Sequence, residues 1–181
     1  MMAQQYPCEE LRDNKGQSRG VWLTVPARLA FEHLATPEDG KYSCALVFPP
    51  DADLTPLFEA ARGAATQKWG AAVPKNLRSP FKEQSELADK YDGFSKDGGL
   101  FINCSSKFAP LYYATDAKTK IALTSDLIWA GCFVRVGLNP YTYDKDGQGK
   151  PVTPGVAFGI QFVQFFADGE RLSGGIDATE Y

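Results

Sequence analysis

Residues 131–143 read Gly-Cys-Phe-Val-Arg-Val-Gly-Leu-Asn-Pro-Tyr-Thr-Tyr. Cys132, Val134, Val136 and Leu138 are uniformly apolar, and Phe133, Arg135, Gly137 and Asn139 alternate with them. A period of two marks a half-buried strand, with one face turned to a core and the other left outside. The outward set is Phe133 and Arg135. Tyr141 and Tyr143 continue it where the strand runs out past Pro140.

Working outward, the same alternation recurs. Val156, Phe158, Ile160 and Phe162 alternate with Ala157, Gly159 and Gln161, and the glycines here and at Gly137 predict sharp strand curvature. Leu100, Ile102 and Cys104 alternate with Phe101, Asn103 and Ser105. Earlier strands are expected over Val21–Val25, with Pro26 at an edge or bend, and over Lys41–Phe48, closed by Pro49-Pro50. One helix stands between them and the later strands. Thr55 is the expected N-cap and Pro56 the first helical residue; Leu57, Phe58, Ala61 and Ala65 form its apolar stripe, and Gly70 is its stop.

Five main strands and one helix define an all-β chain with one helix. They fit a small closed barrel better than an α/β sheet, and the five-stranded OB-fold barrel with extended loops is the expected form. The first nineteen residues are polar and read as a flexible arm. Residues 20–175 then form the one domain, and 176–181 a short acidic tail.

The chain has 181 residues, 44% of them hydrophobic and 23% charged, the balance of a globular protein. No apolar run approaches the ~20 residues of a membrane span, and the N-terminus lacks a basic-then-apolar secretory pattern. A cytosolic protein is expected. Cys8, Cys44, Cys104 and Cys132 form no C-x-x-C pair and read as buried, reduced thiols. His33 is the only histidine, which removes most metal-hydrolase sites and makes any Ser-His-Asp or Cys-His mechanism depend on that one residue.

The net charge of −3 argues against a polycation that coats nucleic acid. It leaves room for a local basic groove, because binding follows the local field. From Ala167 onward four acids face one arginine, a net of −3, so the remaining side chains balance to zero.

The outward rows carry the chemistry. Phe101, Asn103, Ser105 and Lys107 repeat the aromatic, polar and basic pattern of Phe133, Arg135, Tyr141 and Tyr143. Residues 71–98 are irregular and polar, with Lys75, Arg78, Lys82, Lys90 and Lys96 among Phe81, Tyr91 and Phe94. A connection of that length is usually functional or mobile. Aromatic faces offer sequence-tolerant stacking for bases while cations hold phosphates. The same rings could instead pack under the helix or a long loop, or form a dimer contact.

Other motifs fail on chemistry. Asp144–Gly149 begins like a calcium loop, but its twelfth position is Gly155 in place of the bidentate Glu, so a hairpin turn is expected. Gly149-Lys150 lacks the Ser or Thr of a P-loop, since Pro151 follows. Asp89, Asp92 and Asp97 lie among lysines and read as a solvated loop. No metal, cofactor or catalytic set is expected.

The order of segments carries a resemblance. Lys41–Pro49, an Ala-rich helix, Gly99–Lys107, Trp129–Val136, Tyr141-Thr142-Tyr143, Gly155–Ile160 and Gly174-Gly175 follow one another over nearly the whole chain. This resembles the bacteriophage family of OB-fold single-stranded DNA-binding proteins. The resemblance implies non-sequence-specific binding of single-stranded DNA, protecting replication or recombination intermediates in the host bacterial cytoplasm. It also implies a homodimer, no cofactor and no catalysis, and a tail that could meet phage replication proteins. The alternatives are a phage structural or assembly module using exposed aromatics for protein contacts, and a nuclease or recombination enzyme using the loop acids.

Overall fold

The structure, a computed structural model, describes residues 5–124 and 126–172. Ten strands form the described sheet: β1 (Glu9–Arg12), β2 (Ser18–Leu23), β3 (Ala27–Glu38), β4 (Lys41–Val47), β5 (Phe81–Glu83), β6 (Leu100–Ser106), β7 (Leu111–Tyr113), β8 (Lys120–Ile121), β9 (Phe133–Lys145) and β10 (Pro151–Ala167). One α-helix, α1 (Thr55–Trp69), lies between β4 and β5.

The pairings return on themselves. β9 pairs β3, β3 pairs β4, and β4 pairs β6, all antiparallel. β6 then pairs β10 in parallel, and β10 pairs β9 antiparallel along most of its length. The β1–β2 hairpin is added to the outer edge of β9, where Trp22 opposes Leu138, and β7–β8 extends from the far part of β10.

The alternating apolar residues point into this ring, as their period demands. Leu29, Leu46, Ile102, Val134, Val136, Leu138 and Phe158 are fully buried together. Burying a side chain of that size contributes about 1.5–3 kcal/mol, so the ring closes on its own core. Helix α1 lies against β2, β9 and β10 and adds Leu57, Ala61 and Ala65 to that core. Its cap differs from expectation. Leu54 is the N-cap residue and Thr55 the first helical one, and Asp53 Oδ1 accepts the Thr55 amide at 3.0 Å. Gly70 ends the helix at φ 58°, as glycine can.

Two expectations need correction, and one strand went unread. The polar N-terminus is no free arm in the described part: β1 pairs β2, and buried Cys8 accepts the Val25 amide through Sγ at 3.4 Å. The segment after Pro26 is a twelve-residue strand that the alternation did not reveal. Phe31 sits there at φ 49°, and the β3–β4 register slips between Ala30 and His33, so the period breaks. Finally, β9 does not run out at Pro140 but continues to Lys145. Pro140 opposes Phe158 on the β10 side and lies two residues beyond Leu138, where the pairing of β9 with β2 stops.

The four cysteines are buried and free. Cys44 and Cys104 oppose each other across β4 and β6 with their sulfurs 3.5 Å apart. Their hydrogen bond, followed by burial, pushes the Cys44 thiol well above its usual range. No helix of the described residues is long and apolar enough to cross a membrane.

Candidate nucleic-acid interface

Strand parity places the outer face before any side chain is considered. Tyr143, Tyr141 and Asn139 of β9 oppose Gly155, Ala157 and Gly159 of β10. Gly159 pairs on its other side with Ser105 of β6, and Ser105 pairs with Ser43 of β4. Residues paired across strands share a face, so Asn139, Gly159, Ser105 and Ser43 form one row.

The small residues of β10 make that face a trough. A Cβ on Gly155 would meet the Tyr143 hydroxyl at 2.4 Å, and one on Gly159 would meet Asn139 Oδ1 at 2.6 Å. Gly159, read from sequence as a point of curvature, is therefore also the floor under Asn139, and Gly155 is the floor under Tyr143.

Two cavities open along the trough. One of about 260 Å³ is lined by Arg78, Ser79, Pro80, Lys82, Asn103, Tyr143, Val156 and Ala157. Arg78 is held there by its backbone: its amide donates to the Pro154 carbonyl at 2.8 Å and its carbonyl accepts from Val156 at 3.1 Å. The other, about 400 Å³, is lined by Lys41, Ser105, Ser106, Lys107, Phe108, Asn139, Tyr141 and Gln161, with Gly159 and Ile160 beneath. Gln161 donates to Asn139 Oδ1 at 2.6 Å. Among the described residues, none of Arg78, Lys82, Lys41 and Lys107 is held in an ion pair.

Six of the ten residues singled out from sequence thus line this trough: Arg78, Lys82, Asn103, Lys107, Tyr141 and Tyr143. Four do not. Lys75 stands exposed on the loop and lines neither cavity. Phe101 has the expected outward parity but is only 3% exposed, because Phe94 of the long loop lies edge-on against it at 5.2 Å. Phe133 is half-buried at the start of β9, eight residues and about 27 Å from Tyr141, with Gly169 packed near its ring.

Arg135 is the clearest correction. Its Nε donates to the Thr24 carbonyl at 2.8 Å and its Nη2 to the Pro7 carbonyl at 2.9 Å. The Tyr6 ring covers the guanidinium at 5.6 Å, and desolvation lowers its pKa from the usual arginine range. The N-terminal segment lies over the face that alternation left open, so Arg135 fastens that segment.

Sequence reasoning also missed contributors. Phe108 is 80% exposed at the trough's end beside Lys107. It falls in a non-periodic stretch after β6, where no alternation could flag it. Lys41 carries the outward parity of Ser43 and was legible in principle.

The basic loop divides. Residues 78–82 border the trough, whereas Phe94 packs with Ala30, Ala45, Val47 and Phe101 in a small second core. Lys96 pairs with Asp89 at 3.4 Å on the surface. Residues 144–149 form the expected hairpin turn, with Asp146 Oδ1 accepting the Gln148 and Lys150 amides at 2.8 and 2.9 Å. Among the described residues no cluster of three or more His, Cys, Asp or Glu is placed to hold a metal. The tail expected at 176–181 lies outside the described residues.

A mostly β chain with one helix and this strand pairing has the fold of phage single-stranded DNA-binding proteins. The single-stranded DNA-binding protein from bacteriophage Enc34, solved in complex with ssDNA, superposes with a TM-score of 0.68 at 17% identity, covering 91% of this chain and 98% of that one. Gp2.5, a single-stranded DNA-binding protein encoded by bacteriophage T7, superposes with a TM-score of 0.61 at 13% identity, covering 89% of this chain and 97% of that one. The chain belongs to the Enterobacter phage Enc34 ssDNA-binding protein family, whose profile matches residues 21–181. Protein p50 of Acyrthosiphon pisum secondary endosymbiont phage 1 is 33% identical over 87 residues, which span 48% of this chain and 42% of that relative.

Proposed function

We propose that this chain binds single-stranded DNA without sequence preference, protecting phage replication or recombination intermediates. The observation that carries the reading is the gathering of Arg78, Lys82, Asn103 and Tyr143 around one open cavity, continued by Tyr141, Lys107, Lys41 and Phe108. These residues come from β4, β5, β6, β9 and the loops after α1 and β6, and no local sequence pressure would assemble them.

The mechanism is stacking plus phosphate neutralisation, and no bond is made or broken. Tyr141, Tyr143 and Phe108 offer ring faces that any base can use, and each stack is worth about 1–3 kcal/mol. The four cations track the backbone and displace its counterions. The amides of Asn103, Asn139 and Gln161 supply hydrogen bonds without imposing one base. Duplex DNA hides its base faces inside the stack and cannot use the trough.

The ring of β3, β4, β6, β9 and β10 reads as the five strands of an OB-fold barrel, with β6 and β10 as its parallel closing pair. In that fold the face of the second and third strands binds oligonucleotides, and those strands correspond to β4 and β6. The folded unit then begins at β1, ahead of Gly20. The resemblance carried by the sequence supports a homodimer acting in the host bacterial cytoplasm.

The test is a gel shift on labelled oligo-dT with unlabelled single-stranded and duplex competitors. Single strands should displace the label and duplex of equal length should not. Equal competition by duplex, or no shift at all, overturns the reading and favours a module for protein contacts.

A further inference from the structure

The central row of the trough does not end at β4. Ser43 pairs with His33, so the row Asn139, Gly159, Ser105, Ser43 continues onto β3. Ser105 and His33 are two inter-strand steps apart, about 10 Å. Beyond them the surface opens into a third cavity of about 430 Å³, walled by Phe31, His33, Tyr91, Phe94, Trp129 and Arg171.

Two of its rings face solvent, Phe31 at 39% and Tyr91 at 43% exposure. They meet edge to face at 4.9 Å and 88°, while Phe31 stacks on Phe94 at 5.8 Å. The Arg171 guanidinium lies 5.1 Å from the centre of the Trp129 ring. Phe31 reaches its place at φ 49°, a backbone region that bulky residues avoid, inside the bulge that interrupts β3 and β4. A core ring needs no such distortion. Here the backbone leaves its register and the ring emerges at the surface, the kind of strain that clusters at ligand sites.

The rim is mixed in charge. His33 and Arg171 are joined by Asp92 and by Glu32, whose Oε1 accepts the Leu34 and Ala35 amides at 2.6 and 2.9 Å. Aromatic walls, with two carboxylates against the single Arg171 guanidinium and with His33 Nε2 taken up by Glu38 Oε2 at 2.7 Å, suit a planar base better than a phosphate. We infer that this cavity takes one unpaired nucleobase of a strand already lying in the trough, with Phe31 and Tyr91 as a second stacking station. This rests on the trough binding single-stranded DNA.

The test uses oligo-dT from about 4 to 16 nucleotides, the range of site sizes for one OB-fold. Its variants are Tyr91→Ala, on an exposed loop, and Phe31→Gly, which removes the ring and suits the positive φ. Both should bind the shortest strands like the unaltered protein and lose about tenfold on strands long enough to reach both sites. The log-log salt slope should not change, because every phosphate-neutralising cation is still in place. In the unaltered protein one abasic residue at the reaching position should cost the same tenfold, and in Tyr91→Ala nothing further. If both variants bind every length normally, or lose affinity equally at every length, the second station is overturned and the trough reading stands. If the unaltered protein binds no length, the trough reading fails and this inference with it.

Discussion

Arg135 and Thr24 are joined by a buried hydrogen bond of 2.8 Å across 111 residues of chain, from guanidinium Nε to backbone carbonyl. The Thr24 side chain answers it, accepting the Val136 amide at 3.1 Å. With the further bond to Pro7, this couples the N-terminal segment to the middle of β9.

Arg135→Ala should therefore act on stability. It leaves the Thr24 and Pro7 carbonyls without their donor, and each such loss costs about 1–3 kcal/mol when the group stays buried. Urea unfolding should show the lowered midpoint. The salt slope of DNA binding by the folded variant should match that of the unaltered protein; a shallower slope would return Arg135 to the interface.

The trough cations should behave in the opposite way. Arg78→Ala, Lys82→Ala, Lys41→Ala and Lys107→Ala change exposed side chains, so stability should move by no more than about 0.5 kcal/mol. Each should make the log-log salt slope for single strands shallower by about 0.7, the value of one phosphate left to its counterions. Titrations at several salt concentrations decide it. Lys75→Ala should leave the slope as it was.

Gly155→Ala tests the trough floor. The added methyl would lie 2.4 Å from the Tyr143 hydroxyl, so the ring must swing away. Single-strand affinity should fall by up to the value of one stack, about 1–3 kcal/mol. The same substitution made with Tyr143→Ala should add little, because the two act through one ring. Additive losses would show that Gly155 matters for another reason.

Alkaline pH should unfold the protein ahead of any effect on arginine. Desolvation pushes Tyr112 from its usual 10.0 up to about 12 and raises Cys8 and Cys132, while the Cys104 hydrogen bond and burial raise Cys44. Below about pH 9 these groups are neutral in folded and unfolded chains alike, and their stabilisation is fully present. Above it the unfolded chain releases protons that the folded chain keeps, so stability falls as pH rises toward 12, by about 1.4 kcal/mol per pH unit for each proton retained. Urea midpoints at pH 8 and pH 11 should show the fall, less steep above pH 10 in Tyr112→Phe. A flat midpoint would contradict it.

What was legible in the sequence follows from what alternation can encode. The parity of Cys132–Leu138, Leu100–Ser105 and Val156–Ile160 is observed in the strands, and it placed Asn103, Tyr141 and Tyr143 on the outer face. Parity says which side a residue takes and nothing about what later covers that side. Phe101 and Arg135 were placed on the outer face and then covered, one by Phe94 and the other by Tyr6 and Pro7. Those covers come from loops seven and 128 residues away, beyond any local pattern. Strand β3 was missed because a positive φ at Phe31 breaks the period on which such readings depend. Phe108 was missed because it stands where the strand has ended.

The central claim is that the rings of Tyr141, Tyr143 and Phe108 hold bases of a single strand. The most direct measurement is fluorescence titration of oligo-dT into the unaltered protein and into the Tyr141→Ala, Tyr143→Ala, Phe108→Ala triple variant, each first shown to unfold at a similar urea concentration. At about 1–3 kcal/mol per stack, the triple variant should bind at least a hundredfold more weakly with an unchanged salt slope. If it binds oligo-dT as tightly as the unaltered protein, the trough is not where the bases lie.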